Sequence, residues 1–167
     1  MQAIIEALDN NKSMFNDLLK GIEQEQYLWR QTPDKWCLLE IICHLYDEER
    51  FDFRFRTKWV LERPNEIPPL FNQLDWIKEH DYMSQDFLNM LKKFNAERDA
   101  SLIWLRSLKD PKWKNSFKHP KLGTLTADSF LKNWLAHDYL HMRQILRLKF
   151  DYLSHRTGDD LAYAGTW

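Results

Sequence analysis

The chain has 167 residues, of which 44% are hydrophobic and 29% charged, and its formal net charge is −1 at pH 7. This length is typical of a single domain that buries its own core. Because the charge is near zero and no window is rich in Lys and Arg, nucleic acid is a poor candidate as a partner. No apolar run approaches the roughly 18 residues of a membrane span, so we expect no membrane partner either.

Hydrophobic periodicity divides the chain into four amphipathic helices, at about residues 2–25, 38–61, 76–108 and 124–152. Cys37 and Glu40 occupy the two positions of a capping box at the start of the second helix, and Thr124 or Thr126 can cap the fourth. Few glycines and prolines interrupt the chain, and those that do cluster in long connections after the second and third helices.

These segments predict an all-α fold, a four-helix bundle over residues 1–154, because no strand pattern separates them. The polar residues 155–167 are predicted to form an irregular tail that Tyr163 and Trp167 could dock onto the bundle. Cys37 and Cys43 fit neither a disulfide framework nor a CxxC pair. With no signal-peptide pattern at the N-terminus, we expect reduced thiols and a cytoplasmic protein.

Histidines interrupt two helical stripes that should be apolar. His137 and His141 lie one turn apart on the fourth helix, between Trp134 and Ile145, and therefore on the face predicted to point inward. His44 lies on the inward stripe of the second helix. Because inward polar groups are costly to bury without partners, these three rings need a common explanation.

A divalent transition metal provides one, since three neutral imidazoles bind such an ion and leave at least one coordination position open. A single inward histidine is more often hydrogen-bonded to a carbonyl or carboxylate. The pair at His137 and His141, with His44 on a second stripe, favours the metal. Asp138 follows His137 directly, so we predict that it points away into solvent, and we place the remaining histidines at the surface.

Glu48 lies one turn beyond His44 on the same stripe, and four roles are open to it. It could be a fourth metal ligand, an acceptor for an imidazole N–H, or a general base. The structural alternative is a salt bridge to an arginine from another helix.

Two motifs carry a family resemblance: Trp36-Cys-Leu-Leu-Glu40-Ile-Ile-Cys-His44-Leu45 and His137-Asp-Tyr-Leu-His141-Met-Arg-Gln144-Ile145. They are similar to the patterns W-S-x-x-E-x-x-x-H-L and H-x-x-x-H-x-x-Q-I of the DinB-like, or YfiT-like, family, over about residues 1–152. The resemblance implies an up-down-down-up bundle, often dimeric, in which His44, His137 and His141 bind the metal. Zinc or nickel is the expected ion, with iron or manganese as alternatives. Cys37 stands where the family has a capping serine.

Characterised relatives in that family include thiol-dependent enzymes, which implies a low-molecular-weight thiol as a cosubstrate. We therefore expect a metal-dependent enzyme acting on a small molecule, either a thiol-dependent S-transferase or a metal-assisted hydrolase. The alternative is a non-catalytic bundle whose metal is structural or sensory. A ferritin-like di-iron protein needs paired Glu-x-x-His motifs, and a zincin protease needs HExxH; neither pattern occurs.

Overall fold

The computed structural model describes residues 1–165, which are mostly helical. The α-helices are α1 (Gln2–Leu19), α2 (Gln24–Leu28), α3 (Leu38–Asp47), α4 (Arg54–Glu62), α5 (Trp76–Glu79), α6 (Phe87–Ser107) and α7 (Ala127–Thr157). A π-helical segment, Glu48–Phe53, joins α3 to α4 without a break, and 3₁₀ turns form at Tyr82–Ser84 and Ala162–Ala164. A hairpin of β1 (Ser116–His119) and β2 (Gly123–Thr126) precedes α7.

Four long helical pieces, α1, α3 with α4, α6 and α7, build the body of the molecule. Helix α1 packs against α6 and α7, α3 packs against α6, and α4 packs against α7. Two apolar clusters fill the space between them, the larger around Phe15, Ile42 and Phe94 and the smaller around Leu8, Leu102 and Trp134. The predicted helical class is confirmed, whereas the up-down-down-up order stays a prediction. Within residues 1–165, no helix is both long and apolar enough to cross a membrane.

Two of the predicted helices are shorter in the structure. The first ends at Leu19 rather than near residue 25, because Gly21 adopts a left-handed backbone with φ 68°. The predicted helix 76–108 is broken after α5, where Asp81 has φ 42°. Asp86 then starts α6 by accepting a hydrogen bond from the backbone N–H of Asn89 at 2.7 Å. The sequence pattern did not reveal this cap because apolar residues continue on both sides of it.

The fourth helix begins after Thr126, one of the two predicted caps, and its Thr126–Ser129 capping box is formed. It continues beyond the predicted end near residue 152 to Thr157, where Gly158 takes a left-handed φ of 76°. The division into a bundle over residues 1–154 and a tail over 155–167 stays a prediction. Tyr163 is fully exposed, so its predicted docking is wrong, and Trp167 lies outside the described residues.

The hairpin is a small addition to the predicted helical fold, and the sequence pattern did not indicate it. Strands β1 and β2 pair antiparallel, with Ser116 opposite Thr126 and His119 opposite Gly123. Phe117 anchors the hairpin, since its 2% exposed side chain packs with Val60 and Ala127. Strands of four residues contain too few alternations for the sequence to predict them.

Candidate metal centre

The structure brings the three predicted histidines together. Nε2 of His137 lies 3.3 Å from Nε2 of His44 and 3.0 Å from Nε2 of His141. One ring nitrogen from each of the three lies within 4.8 Å of the other two, so the group could hold a metal ion. The rings therefore converge from α3 and α7 on one small volume.

Local structure fixes the two helices that carry these rings. At the start of α3 the predicted capping box forms, with the Cys37 backbone N–H donating to Oε2 of Glu40 at 2.8 Å. Arg30 from outside the helix also reaches the same Oε2 at 2.6 Å. On α7, the four-residue spacing of His137 and His141 brings their rings edge to face, with centroids 4.3 Å apart. The arrangement of the three rings thus follows from the register of two helices rather than from loops.

Burial keeps the three imidazoles neutral. It lowers the pKa of His44 to about 3 and that of His137 to about 2, and the neighbouring histidines add to both shifts. Burial also lowers the pKa of His141, although the Gln144 hydrogen bond opposes the shift. Neutral imidazoles are the form that binds metal. Tetrahedral ligands at about 2.0–2.1 Å from an ion would lie about 3.4 Å apart, so the observed Nε2 separations of 3.3 and 3.0 Å suit a shared ion.

The outer nitrogens of two rings face acceptors. Nδ1 of His141 is 2.9 Å from Oε1 of Gln144, and Nδ1 of His44 is 3.9 Å from Oε1 of Glu48. A proton on Nδ1 leaves the lone pair on Nε2, which is the nitrogen that faces the other two rings. Sequence reasoning gave Gln144 no role, although its three-residue spacing from His141 places both on one face of the helix.

Comparison with known proteins gives the family. The family model described as DinB superfamily matches residues 7–145, most of the chain. The chain belongs to the DinB superfamily. Among solved structures, YfiT from Bacillus subtilis is similar to it, with a TM-score of 0.77 and 20% sequence identity over 94% of this chain and 87% of YfiT.

YfiT is described as "a probable metal-dependent hydrolase with an unusual four-helix bundle topology". At 20% identity, this likeness shows that the DinB-superfamily chain and YfiT share a fold. A sequence search among curated proteins finds no match.

Glu48 of the DinB-superfamily chain is buried beside the triad but stands outside the group of three converging nitrogens. Burial and the neighbouring Asp52 carboxylate raise the pKa of Glu48 to about 9, which favours its protonated carboxyl. Asp52 is held in turn by Arg56 at 2.5 Å and by Gln73 at 2.7 Å. Within residues 1–165, Glu48 forms no salt bridge to an arginine of another helix.

The prediction for Asp138 is wrong. Its side chain is 1% exposed and accepts hydrogen bonds from Arg98 at 2.8 Å and from Asn11 at 3.0 Å. Asp138 lies on the buried seam of α7, four residues after Trp134. His137 and His141 are half-buried at the edge of that seam. The predicted inward face of α7 was therefore displaced by about one residue from the buried face in the structure. The error arose because the residues on both faces include apolar side chains.

Arg98 is the centre of a buried network that sequence reasoning missed. It bonds both oxygens of Asp138, Oε1 of Glu49 at 2.9 Å and the backbone oxygen of Leu8 at 3.0 Å. Although burial opposes its charge, the two carboxylates raise the pKa of Arg98. The sequence pattern that indicates burial of Arg98 is its position four residues after the apolar Phe94, on the same face of α6.

A cavity of about 570 Å³ adjoins the triad on the side of His141. Its walls combine apolar groups, including Trp36, with the cationic side chains of Lys35 and Arg143. Trp36 also packs on the His44 ring, with centroids 4.9 Å apart. His141 is the triad residue that lines this cavity, so a small molecule could approach the triad of the DinB-superfamily chain from the side of His141.

The remaining histidines stand apart from the triad. His119 accepts hydrogen bonds from two backbone N–H groups in the hairpin turn, and His155 is exposed near the end of α7. His80 is half-buried rather than a simple surface residue, because its Nδ1 lies 2.7 Å from the Asp47 carboxylate.

Proposed function

We propose that His44, His137 and His141 bind one divalent transition metal, and that the protein is a metal-dependent enzyme acting on a small molecule. The convergence of three neutral imidazole nitrogens carries this proposal. Zinc and nickel suit an all-nitrogen donor set, and iron or manganese are the alternatives. The adjoining cavity favours a catalytic site over a structural one, because a structural site is closed on all sides.

When bound, the ion would act as a Lewis acid that lowers the pKa of a coordinated water or thiol and so supplies a nucleophile at neutral pH. A low-molecular-weight thiol as cosubstrate would make the protein a thiol-dependent S-transferase, and water would make it a hydrolase. The described function of YfiT supports the hydrolase.

The chain's own residues would orient the ligands and manage protons. Gln144 accepts from Nδ1 of His141 and directs its Nε2 toward the site. Glu48, at 3.9 Å from Nδ1 of His44, can orient that ring or hold a proton at its carboxyl beside the site. Trp36 on His44 and Phe53 on His137 restrict the two rings and exclude water from their faces.

Metal analysis tests the centre. Protein purified without a His-tag should contain about one transition-metal ion per chain, and His44→Ala should lose it. His155→Ala is the matched control, since it removes an exposed imidazole from α7. Full metal content in His44→Ala would overturn the assignment of the site.

Turnover tests the reaction. The metal-loaded protein should convert either an aryl chloride such as 1-chloro-2,4-dinitrobenzene with a cellular thiol, or an activated ester with water. His141→Ala should abolish the rate. A metal that raises the melting temperature while neither substrate turns over would instead support the structural or sensory alternative.

We also propose that the protein is a cytoplasmic homodimer. Both cysteines are free thiols, which supports a reducing compartment.

A further inference from the structure

A buried carboxylate on α3 holds a histidine that the metal centre does not use. Asp47 is 2% exposed, and its Oδ2 lies 2.7 Å from Nδ1 of His80 and 2.7 Å from the Tyr82 hydroxyl. Burial and Asp47 raise the pKa of Tyr82, so the phenol remains a hydrogen-bond donor. The contact with Asp47 fixes the orientation of the His80 ring.

His80 lies between two adjoining cavities of about 300 and 310 Å³, which share Arg50, Phe51 and His80 in their walls. Its Nε2 has no hydrogen-bond partner within residues 1–165. We call these two cavities together the His80 cleft. Their separate linings give it a polar half and an aromatic half.

The polar half is lined by two cationic side chains, Lys93 and Arg50. Lys93 lines it and forms no ion pair in the part of the chain that the structure describes. Arg50 lines it as well, with its guanidinium bonded to the Tyr46 hydroxyl at 2.9 Å and 4.0 Å from Glu97. Asp47, the carboxylate in this wall, is already engaged by His80 and Tyr82. A bound anion could therefore form an ion pair with Lys93, for which the protein supplies no carboxylate in the part of the chain that the structure describes.

The aromatic half is walled by aromatic rings that pack against one another. Phe71 and Trp76 stack with centroids 5.0 Å apart, and Phe51 lies 5.8 Å from Trp76. His80 is nearly parallel to Trp76, at 11°. Aromatic walls of this kind favour a flat apolar ligand.

We propose that the His80 cleft is a second ligand site, which binds a small aromatic carboxylate. The ring of the ligand would lie against Phe71 and Trp76, and its carboxylate would meet Lys93 and Arg50. Because Asp47 binds Nδ1 of His80, the second ring nitrogen, Nε2, would face the ligand and add a polar contact. This inference does not depend on the metal centre.

Calorimetric titration with 2-naphthoate tests the site. We expect binding that weakens about tenfold in Lys93→Gln and in His80→Gln, the loss expected for one charge-assisted contact. Lys92→Gln is the matched control, because Lys92 is an exposed neighbour of Lys93 on α6 and lies outside the cleft. The neutral 2-naphthalenemethanol should bind about tenfold more weakly than 2-naphthoate.

Binding that persists in His141→Ala would place 2-naphthoate away from the metal centre, as expected. The proposal is overturned if His141→Ala abolishes binding, if Lys92→Gln and Lys93→Gln weaken it equally, or if millimolar 2-naphthoate gives no binding heat.

Discussion

At the scale of single residues, Gln144 shows how one amide can set the chemistry of an imidazole. Its Oε1 is 2.9 Å from Nδ1 of His141, so it favours the tautomer whose Nε2 lone pair faces the other two rings. Gln144 itself lies outside the converging nitrogens, and its influence on a metal would pass entirely through His141.

We predict that Gln144→Leu weakens metal binding about 10–100-fold, because the ring loses the acceptor that fixes its tautomer. Gln144→Glu keeps an acceptor at the same position and should retain most of the affinity. Competition with a chromophoric chelator measures both. Equal affinities in Gln144→Leu and the wild type would show that the hydrogen bond has no part in metal binding.

At the scale of elements, Arg98 ties the helical pieces together. From α6 it reaches the Leu8 carbonyl of α1, Glu49 of the π-helical segment and Asp138 of α7. Asp138 is adjacent to His137, and Glu49 is adjacent to Glu48. The same contacts that join the helices therefore also fix the backbone beside His137 and Glu48 at the candidate metal site.

We predict that Arg98→Met lowers the free energy of unfolding by about 3–5 kcal/mol, since it leaves two buried carboxylates without their cation. Arg106, like Arg98, is on α6, but it is half-exposed and pairs with Asp9 of α1. Arg106→Met should therefore cost at most about 1 kcal/mol. Urea unfolding of the two variants measures the difference. Similar losses in both would mean that the buried network contributes little to stability.

At the scale of the whole molecule, α7 presents an apolar stripe to solvent. Tyr139, Leu146 and Leu153 recur every seven residues and are 51%, 43% and 51% exposed. A seven-residue repeat is typical of a helix that packs along a second helix. The stripe is our candidate for the contact between two copies of the chain in the proposed dimer.

We predict that Leu146→Glu converts the dimer to a monomer in sedimentation velocity experiments, because it places a charge in the middle of the stripe. Leu88→Glu, at a 58% exposed leucine of α6, should leave the dimer intact. A wild-type protein that sediments as a monomer at tens of micromolar would contradict the proposed dimer.

The sequence was most informative where polar residues broke an apolar period. His44, His137 and His141 were recognisable in this way, and the structure brings their rings together. Arg98 and Glu49 were not, because a single charged residue in a helix ordinarily lies in solvent, and its buried partners are known only once distant helices pack. Asp138 was assigned to the wrong face because two neighbouring registers of α7 both contain apolar residues.

Helix ends were less predictable than helices. The break before α6 depends on a left-handed Asp81 and a capping Asp86, neither of which interrupts the apolar pattern. Phe117 of the hairpin packs with Val60, which lies more than fifty residues earlier in the chain. The alternation of side chains in a four-residue strand is too short to predict such a contact.

The π-helical segment Glu48–Phe53 has a consequence for the alignment of this chain with its relatives. A π turn accommodates one more residue than an α turn, so it corresponds to a single-residue insertion within an otherwise continuous helix. In a relative without the extra residue, a side chain of α4 at the same distance along the sequence would point about 100° away around the helix axis. An alignment of this chain with such a relative should therefore open a one-residue gap between positions 48 and 53, inside a helix.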